Sequence, residues 1–384
     1  MKQNILLVTW YKSTNCGTCL QAYALYTILS RHFNVDFLGR RTYYSLFDIH
    51  LYKKIYSALI SKIRVLRKKH LPQSNYQIAS KEMLQRYECF CHKYYTFQNL
   101  KSYSDYKHIC NRYSCFMVGS DQLWNPSMFS PAYMLDFVPA NRKKVVYAGS
   151  FGVDNITNDK RSLYKKLLLR LDEISVRETR AREIIQDLCG ITPKVVLDPT
   201  LLLTSDEWNV FSNLSNALVE YKINSKYMIA YFIGSKDIDN LSTVKEVAKR
   251  RKLQLVVIPN RVKDYELKDS DVILADKVCP YDFVKLIREA ELVCTDSYHA
   301  VIFSFLMDTN FYLFPRFKEG DAKSQNGRLD FIVDTFFLRE RHVWHDNWMD
   351  ELDMHIAHSY TKGYAELLVR RKACIDYLIN LPNQ

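Results

Sequence analysis

Short apolar runs alternate along this chain with longer stretches whose apolar residues recur every three or four positions. The first kind reads as buried parallel strand and the second as helix. Asn4 to Thr9 is the first run, followed by the polar segment Ser13-Thr-Asn-Cys-Gly-Thr18 and a helical pattern over Leu20 to Arg31. A second strand at Val35 to Leu38 completes a βαβ opening. Further strands are expected at Cys115 to Gly119, Val145 to Ser150 and Glu173 to Val176, with a helix near Lys160 to Arg170 and another opening at Arg177-Glu178. A helix at about Tyr76 to Tyr95 precedes them, and Val195-Leu-Asp-Pro-Thr-Leu-Leu203 reads as strand, turn and cap. From Lys226 the rhythm restarts. Tyr227 to Phe232, Leu253 to Ile258, Glu291 to Thr295 and Asn310 to Phe314 are strands, and Ile238 to Arg250, Tyr281 to Ala290 and His299 to Leu306 are helices. The pattern predicts an α/β protein with two Rossmann-like domains, residues 1–205 and 206–362, facing a central cleft. A last helix within 363–384 is expected to pack back on the first domain.

Ligands in open α/β sheets sit beyond the carboxyl ends of the strands, so the residues there are the candidates. In Thr295-Asp-Ser-Tyr-His299 a strand passes through capping residues straight into a helix, which presents free backbone N–H groups to an anion. His299 places a titratable imidazole beside them. The plainer reading is that Asp296 and Ser297 only cap the helix. Val118 runs directly into Ser120-Asp121-Gln122-Leu123-Trp124-Asn125, where Asp121 could act as base or accept sugar hydroxyls and Trp124 could stack on a sugar ring. Arg177, between strand and helix, has a planar fork suited to phosphate or carboxylate; a salt bridge to Glu178 is its competing use. The loop after the first strand holds one glycine and no dinucleotide fingerprint, so no NAD site is expected.

One segment differs in kind. Over residues 51 to 71, Ile55, Leu59, Ile63 and Leu66 fall on one helical face while Lys53, Lys54, Lys62, Arg64, Arg67, Lys68, Lys69 and His70 crowd the rest. Such a helix can lie on an anionic membrane surface or simply present a solvated basic face. The net charge of +12 favours anionic partners without choosing among them. No signal peptide and no apolar run of membrane-spanning length is visible, so a cytoplasmic protein is expected, held peripherally on the inner membrane face if the basic helix binds lipid. The 10 cysteines read as reduced core thiols. Neither Cys16-Gly-Thr-Cys19 nor Cys89-Phe-Cys91-His92 forms a matched metal knuckle, and no metal is expected.

Taken together, several segments resemble the polysaccharide pyruvyl transferase family. They are Asn15-Cys-Gly-Thr-Cys-Leu-Gln-Ala-Tyr-Ala-Leu25, Val118-Gly-Ser-Asp-Gln-Leu-Trp-Asn125, Tyr147-Ala-Gly-Ser150, Ser175-Val-Arg-Glu178, Leu197-Asp-Pro-Thr200 and Thr295-Asp-Ser-Tyr-His-Ala300, in the family's order. The resemblance implies a GT-B-like fold and transfer of pyruvate from phosphoenolpyruvate to two hydroxyls of one sugar, forming a cyclic ketal and phosphate without a cofactor. It implies His299 as the catalytic histidine and Arg177 as a phosphoenolpyruvate ligand; the chemistry of ketal formation adds Asp121 and Asp296 as candidates for the base or for orienting His299. Asn15, Gly17, Gln21, Ser120, Gln122, Trp124, Ser150, Ser297 and Tyr298 join the candidate binding set. Members of the family often carry Arg-Leu-His where this chain has Ser297-Tyr298-His299, which leaves one cation to be replaced by Arg316, Lys318 or Arg328. The partners implied are phosphoenolpyruvate and a saccharide acceptor, lipid-linked or free, with no nucleic acid. Two other classes stay open: a glycosyltransferase using a nucleotide-sugar donor, and a non-catalytic protein of glycan assembly.

Overall fold

The computed structural model describes residues 2–11, 13, 15–39, 81–99, 103–234, 240–260, 264, 267, 269–316, 326–341 and 359–383. The basic segment 51–71 and Lys318 lie outside these residues. Two wholly parallel sheets organise the rest. The first contains β1 (Asn4–Val8), β2 (Asn34–Leu38), β3 (Phe97–Gln98), β4 (Cys115–Val118), β5 (Lys143–Gly149), β6 (Glu173–Val176) and β7 (Lys194–Val195), in the order β3-β2-β1-β4-β5-β6-β7. The second contains β8 (Tyr227–Tyr231), β9 (Gln254–Val257), β10 (Val272–Leu274), β11 (Leu292–Thr295) and β12 (Phe311–Leu313), in the order β10-β9-β8-β11-β12. Strand order therefore reverses between β1 and β4 in one sheet and between β8 and β11 in the other. Each reversal opens a crevice at the strands' carboxyl ends, and the candidate residues emerge from those crevices.

The strands β1, β4, β8 and β11 are buried on both faces, which is why their sequences read as continuous apolar runs rather than alternating ones. The short strands β3 and β10 are only half-buried; they carry no comparable run and are not apparent in the sequence. The first helix starts at Cys16, ahead of the apolar pattern at Leu20, because the Asn15 side chain accepts the Gly17 N–H at 3.0 Å and starts the first turn earlier. That shift brings Gly17 into the helix. A helix at Ser205–Ser212, closed by a capping box between Thr204 and Glu207, and another at Asn326–Thr335 are also additions.

One apolar core runs through both domains, from Ile5 and Leu7 under the first sheet to Phe283 and Phe303 under the second. The C-terminal helix Thr361–Asn380 spans the seam. At its start the Tyr364 hydroxyl donates to Phe305 O at 2.7 Å in the second domain. Farther along, Arg371 donates to Leu201 O at 2.7 Å and the Leu197 N–H to Cys374 Sγ at 3.3 Å in the first. Among the described residues no helix is long and apolar enough to cross a membrane.

Candidate active site

Arg177, at the end of β6, is the buried charge around which the first domain's residues gather; its side chain is 0% exposed. Its Nη1 donates to Asp198 Oδ2 at 2.9 Å and reaches Ser120 Oγ at 3.5 Å. Nη2 stands 3.7 Å from Asp121 Oδ1 and Nε 3.4 Å from Glu178 Oε2, ion-pair distances at which neither N–H makes a hydrogen bond. Burial alone would lower the Arg177 pKa, but Tyr298, Asp198, Glu178 and Asp121 together hold it above its ordinary value. An unpartnered buried N–H costs on the order of 1–3 kcal/mol, so these two donor nitrogens mark a place where a ligand oxygen would be stabilising.

The carboxylates are held individually. Asp198 caps the turn Pro199–Leu201, with Oδ1 accepting from the Thr200 N–H at 3.0 Å and from Thr200 Oγ1 at 2.7 Å. Burial pushes Asp198 up, yet His299, Arg177 and these bonds outweigh it and leave its pKa below the usual carboxylate value. Asp121 adopts φ 88°, a conformation that side-chain-bearing residues seldom occupy. Its Oδ1 accepts the neighbouring Gln122 N–H at 2.8 Å and its Oδ2 accepts Thr18 Oγ1 at 2.7 Å, so the strained turn is fixed from both sides. Glu178 accepts the Ser150 hydroxyl at 2.7 Å; burial raises its pKa against the pull of Arg177 and Arg328.

From the second domain, Ser297 caps the helix Tyr298–Leu306 and delivers His299 across the seam. His299 Nε2 lies 3.9 Å from Asp198 Oδ2 and makes no hydrogen bond. The imidazole rests on Gly17: a Cβ there would fall 2.1 Å from Nδ1, so only glycine fits between the first helix and the ring. Burial lowers the His299 pKa; Asp198 and Asp121 oppose it, while Arg177 and Arg328 add to it. Burial therefore favours the neutral ring, and an arriving anion would favour its protonated form.

Arg328, on the helix Asn326–Thr335, is buried and turned toward the same cluster. With the Gln122 carboxamide oxygen facing it, Arg328 donates from Nη1 at 2.7 Å and from Nη2 at 2.6 Å. Gln122 itself lies against Gly152, whose φ of 64° and lack of a side chain make room for it. Burial above all, and then Arg177 and Arg316, push the Arg328 pKa down to about 9. Arg316 follows β12 and packs beside Gly234.

Several candidates are placed otherwise than the sequence suggests. Trp124 is fully buried, its indole N–H donating to Tyr133 O at 2.7 Å and its ring packed on Phe151 and Gly149, so no face is left for a sugar. Gln21 is fully buried and braces the loop after β1, donating to Trp10 O at 2.8 Å and Thr18 O at 2.9 Å. Asp296 gives its two oxygens to the N–H groups of Ile233 (2.7 Å) and Gly234 (2.8 Å), tying the end of β8 to β11. The carboxylate beside His299 is Asp198, which like Thr18 was not singled out in the sequence, whereas Glu178 stands beside Arg177 as the salt-bridge reading expected. The signal existed in Leu197-Asp-Pro-Thr200, where Asp before Pro reads first as a turn. All 10 cysteines are free; burial pushes the Cys16 thiol, bonded to Tyr87, up to about 12. Among the described residues no three His, Cys, Asp or Glu side chains form a metal-ligand group.

A search of curated proteins by sequence finds no match. Among solved structures, the H444N variant of the wall teichoic acid polymerase TagF is similar with a TM-score of 0.55 at 10% identity, over 100% of this chain and 88% of that one. The S. aureus MnaA–UDP co-structure is similar with a TM-score of 0.53 at 12% identity, over 98% and 95%. At such identities the likeness concerns the fold, two Rossmann-like domains in the GT-B arrangement. The family model for polysaccharide pyruvyl transferase matches residues 15–316, a span that carries Asp121, Arg177, Asp198 and His299, and the chain belongs to that family.

Proposed function

We propose that the chain transfers pyruvate from phosphoenolpyruvate to two hydroxyls of one sugar in a surface polysaccharide or its precursor, forming a cyclic ketal and releasing phosphate. The observation that carries this reading is a set of buried polar atoms without a hydrogen-bond partner, the Arg177 donors Nε and Nη2 and beside them His299 Nε2, at the seam between the domains. Phosphoenolpyruvate is a compact polyanion, and a guanidinium fork with a neighbouring imidazole suits its carboxylate and phosphate oxygens.

The reaction asks for one proton delivered to carbon and two taken from oxygen. Protonating the methylene carbon turns it into the methyl group and makes the adjacent carbon electrophilic. One sugar hydroxyl adds there, phosphate leaves, and the second hydroxyl closes the ring. Of the two hydroxyl protons, one replaces that given to the methyl group and the other leaves with phosphate. His299, neutral when free and made more basic by the arriving anion, supports both transfers. Asp198 stabilises the imidazolium and keeps Arg177 in register.

Calorimetry with phosphoenolpyruvate tests the donor. Arg177→Ala should abolish measurable binding and Arg177→Lys should restore it only in part, because an ammonium cannot form the fork. Affinity unchanged in both would reassign Arg177 to a structural ion pair. Mass spectrometry of surface glycans from cells with and without the protein tests the product. Loss of a whole sugar, instead of loss of the ketal mass, would point to a glycosyltransferase.

A further inference from the structure

Tyr298 is a buried phenol, 4% exposed, whose hydroxyl meets no hydrogen-bond partner. Its surroundings are unusual for a core tyrosine. The Arg177 guanidinium lies 4.8 Å from the ring centroid and that of Arg328 5.8 Å. The His299 ring meets it edge-on with centroids 5.2 Å apart. Two cations drawn to one ring are brought together in spite of their repulsion.

We propose that the Tyr298 hydroxyl donates a hydrogen bond to an anionic oxygen of the donor substrate, while its ring keeps Arg177 and Arg328 side by side for the same anion. The proposal rests on the reading of phosphoenolpyruvate as donor and assigns a binding residue within it. A hydroxyl shut away from water without a partner is costly unless a ligand completes it. Arg177 Nε and Nη2 and His299 Nε2 are unpartnered in the same cluster, so four polar atoms await one ligand. Burial raises the Tyr298 pKa well above its ordinary value, which keeps the hydroxyl protonated and a donor even between two guanidinium groups. The ring has a separate task. Arg328 comes from the second domain and Arg177 from the first, so a ring in contact with both links the two halves of the anion site.

Two variants separate the hydroxyl from the ring. Tyr298→Phe keeps the ring and should weaken phosphoenolpyruvate binding in calorimetry about tenfold, the scale of one hydrogen bond to a charged group. It should raise KM for phosphoenolpyruvate more than it lowers kcat, with thermal unfolding unchanged. Tyr298→Leu removes both features and should weaken binding further. Wild-type binding retained in Tyr298→Phe would overturn the role of the hydroxyl and leave the donor assignment standing. Equal affinity in Tyr298→Phe and Tyr298→Leu would overturn the role of the ring. Failure of the wild-type protein itself to bind phosphoenolpyruvate would overturn both the inference and the reading beneath it.

Discussion

The five-stranded sheet repeats the order of strands β3-β2-β1-β4-β5 of the larger one, and each sheet places an aspartate just past the strand that flanks its crevice: Asp121 after β4 and Asp296 after β11. Their surroundings divide them. Both oxygens of Asp296 accept backbone N–H groups of the neighbouring strand's end, at 2.7 and 2.8 Å, so that carboxylate closes its own crevice. Asp121 spends one oxygen on its own turn and the other on a side-chain hydroxyl, and still faces Arg177 at 3.7 Å. The second domain instead contributes His299 from the helix beyond the same strand. Equivalent places in equivalent folds have thus been put to different use: one carboxylate holds a loop, the other shapes the field around the buried Arg177 guanidinium.

Breaking the comparison at its most sensitive point means removing the group that crosses the seam. His299→Ala should lower kcat by about 10²–10⁴, the range for a general acid–base group, while phosphoenolpyruvate still binds to a folded protein. Activity within about tenfold of wild type would refute the proton-transfer role. Gly17→Ala probes the same residue from the first domain. A methyl group 2.1 Å from Nδ1 must displace the imidazole, and a misplacement of about 1 Å costs on the order of 10²-fold. Steady-state rates lowered by about that factor are expected, with thermal unfolding lowered as well by the overpacking; an unaltered rate would mean that the ring's seat on Gly17 is immaterial.

The paired substitutions Asp121→Asn and Asp296→Asn sharpen the contrast directly. Asp121→Asn keeps an acceptor for Thr18 and removes only charge near Arg177, so kcat/KM should fall about tenfold with stability nearly unchanged; one log unit corresponds to about 1.4 kcal/mol. Asp296→Asn loses a charged acceptor of two backbone N–H groups and should destabilise by about 1–3 kcal/mol while the folded protein keeps its turnover. Denaturant unfolding and initial rates on both variants decide it. The reverse pattern would exchange their roles.

The alternation of buried runs and helical faces carried the architecture because strands buried on both sides of a parallel sheet leave an unbroken apolar record. It also located the strand ends, and with them Asp121, Arg177 and His299. Pairing across the seam was not legible. Nothing local says that Asp198, reading as the cap of a proline turn, would stand 3.9 Å from His299, a hundred residues away in sequence. Trp124 shows the opposite failure. Its neighbours are polar, but burial is decided by the close approach of Gly149 and Phe151 from another strand, so a residue suited to stacking on sugar became core. The bonds of Asp296 to the end of β8 were hidden for the same reason.

The smallest expected effect concerns the free protein and asks whether His299 is held neutral by burial. Its folded pKa lies below the ordinary histidine value of about 6.5, because burial outweighs Asp198 and Asp121. A group depressed on folding contributes stability that is present above its unfolded pKa and lost as pH falls through the folded one. The loss should therefore begin below about pH 6.5, with a slope no steeper than about 1.4 kcal/mol per pH unit. Asp198, also depressed, acts in the same sense but only below the ordinary carboxylate range. Glu178, raised by burial, has the opposite sign: its contribution is present below its unfolded pKa and fades as pH rises through the folded value. Subtraction isolates the histidine. The stability difference between wild type and His299→Gln should be constant above about pH 6.5 and shift against the wild type as pH falls below it, since glutamine takes up no proton. Parallel pH profiles would show that the imidazole is not held neutral by its burial against Gly17, and the acid–base argument would then need another source for its proton.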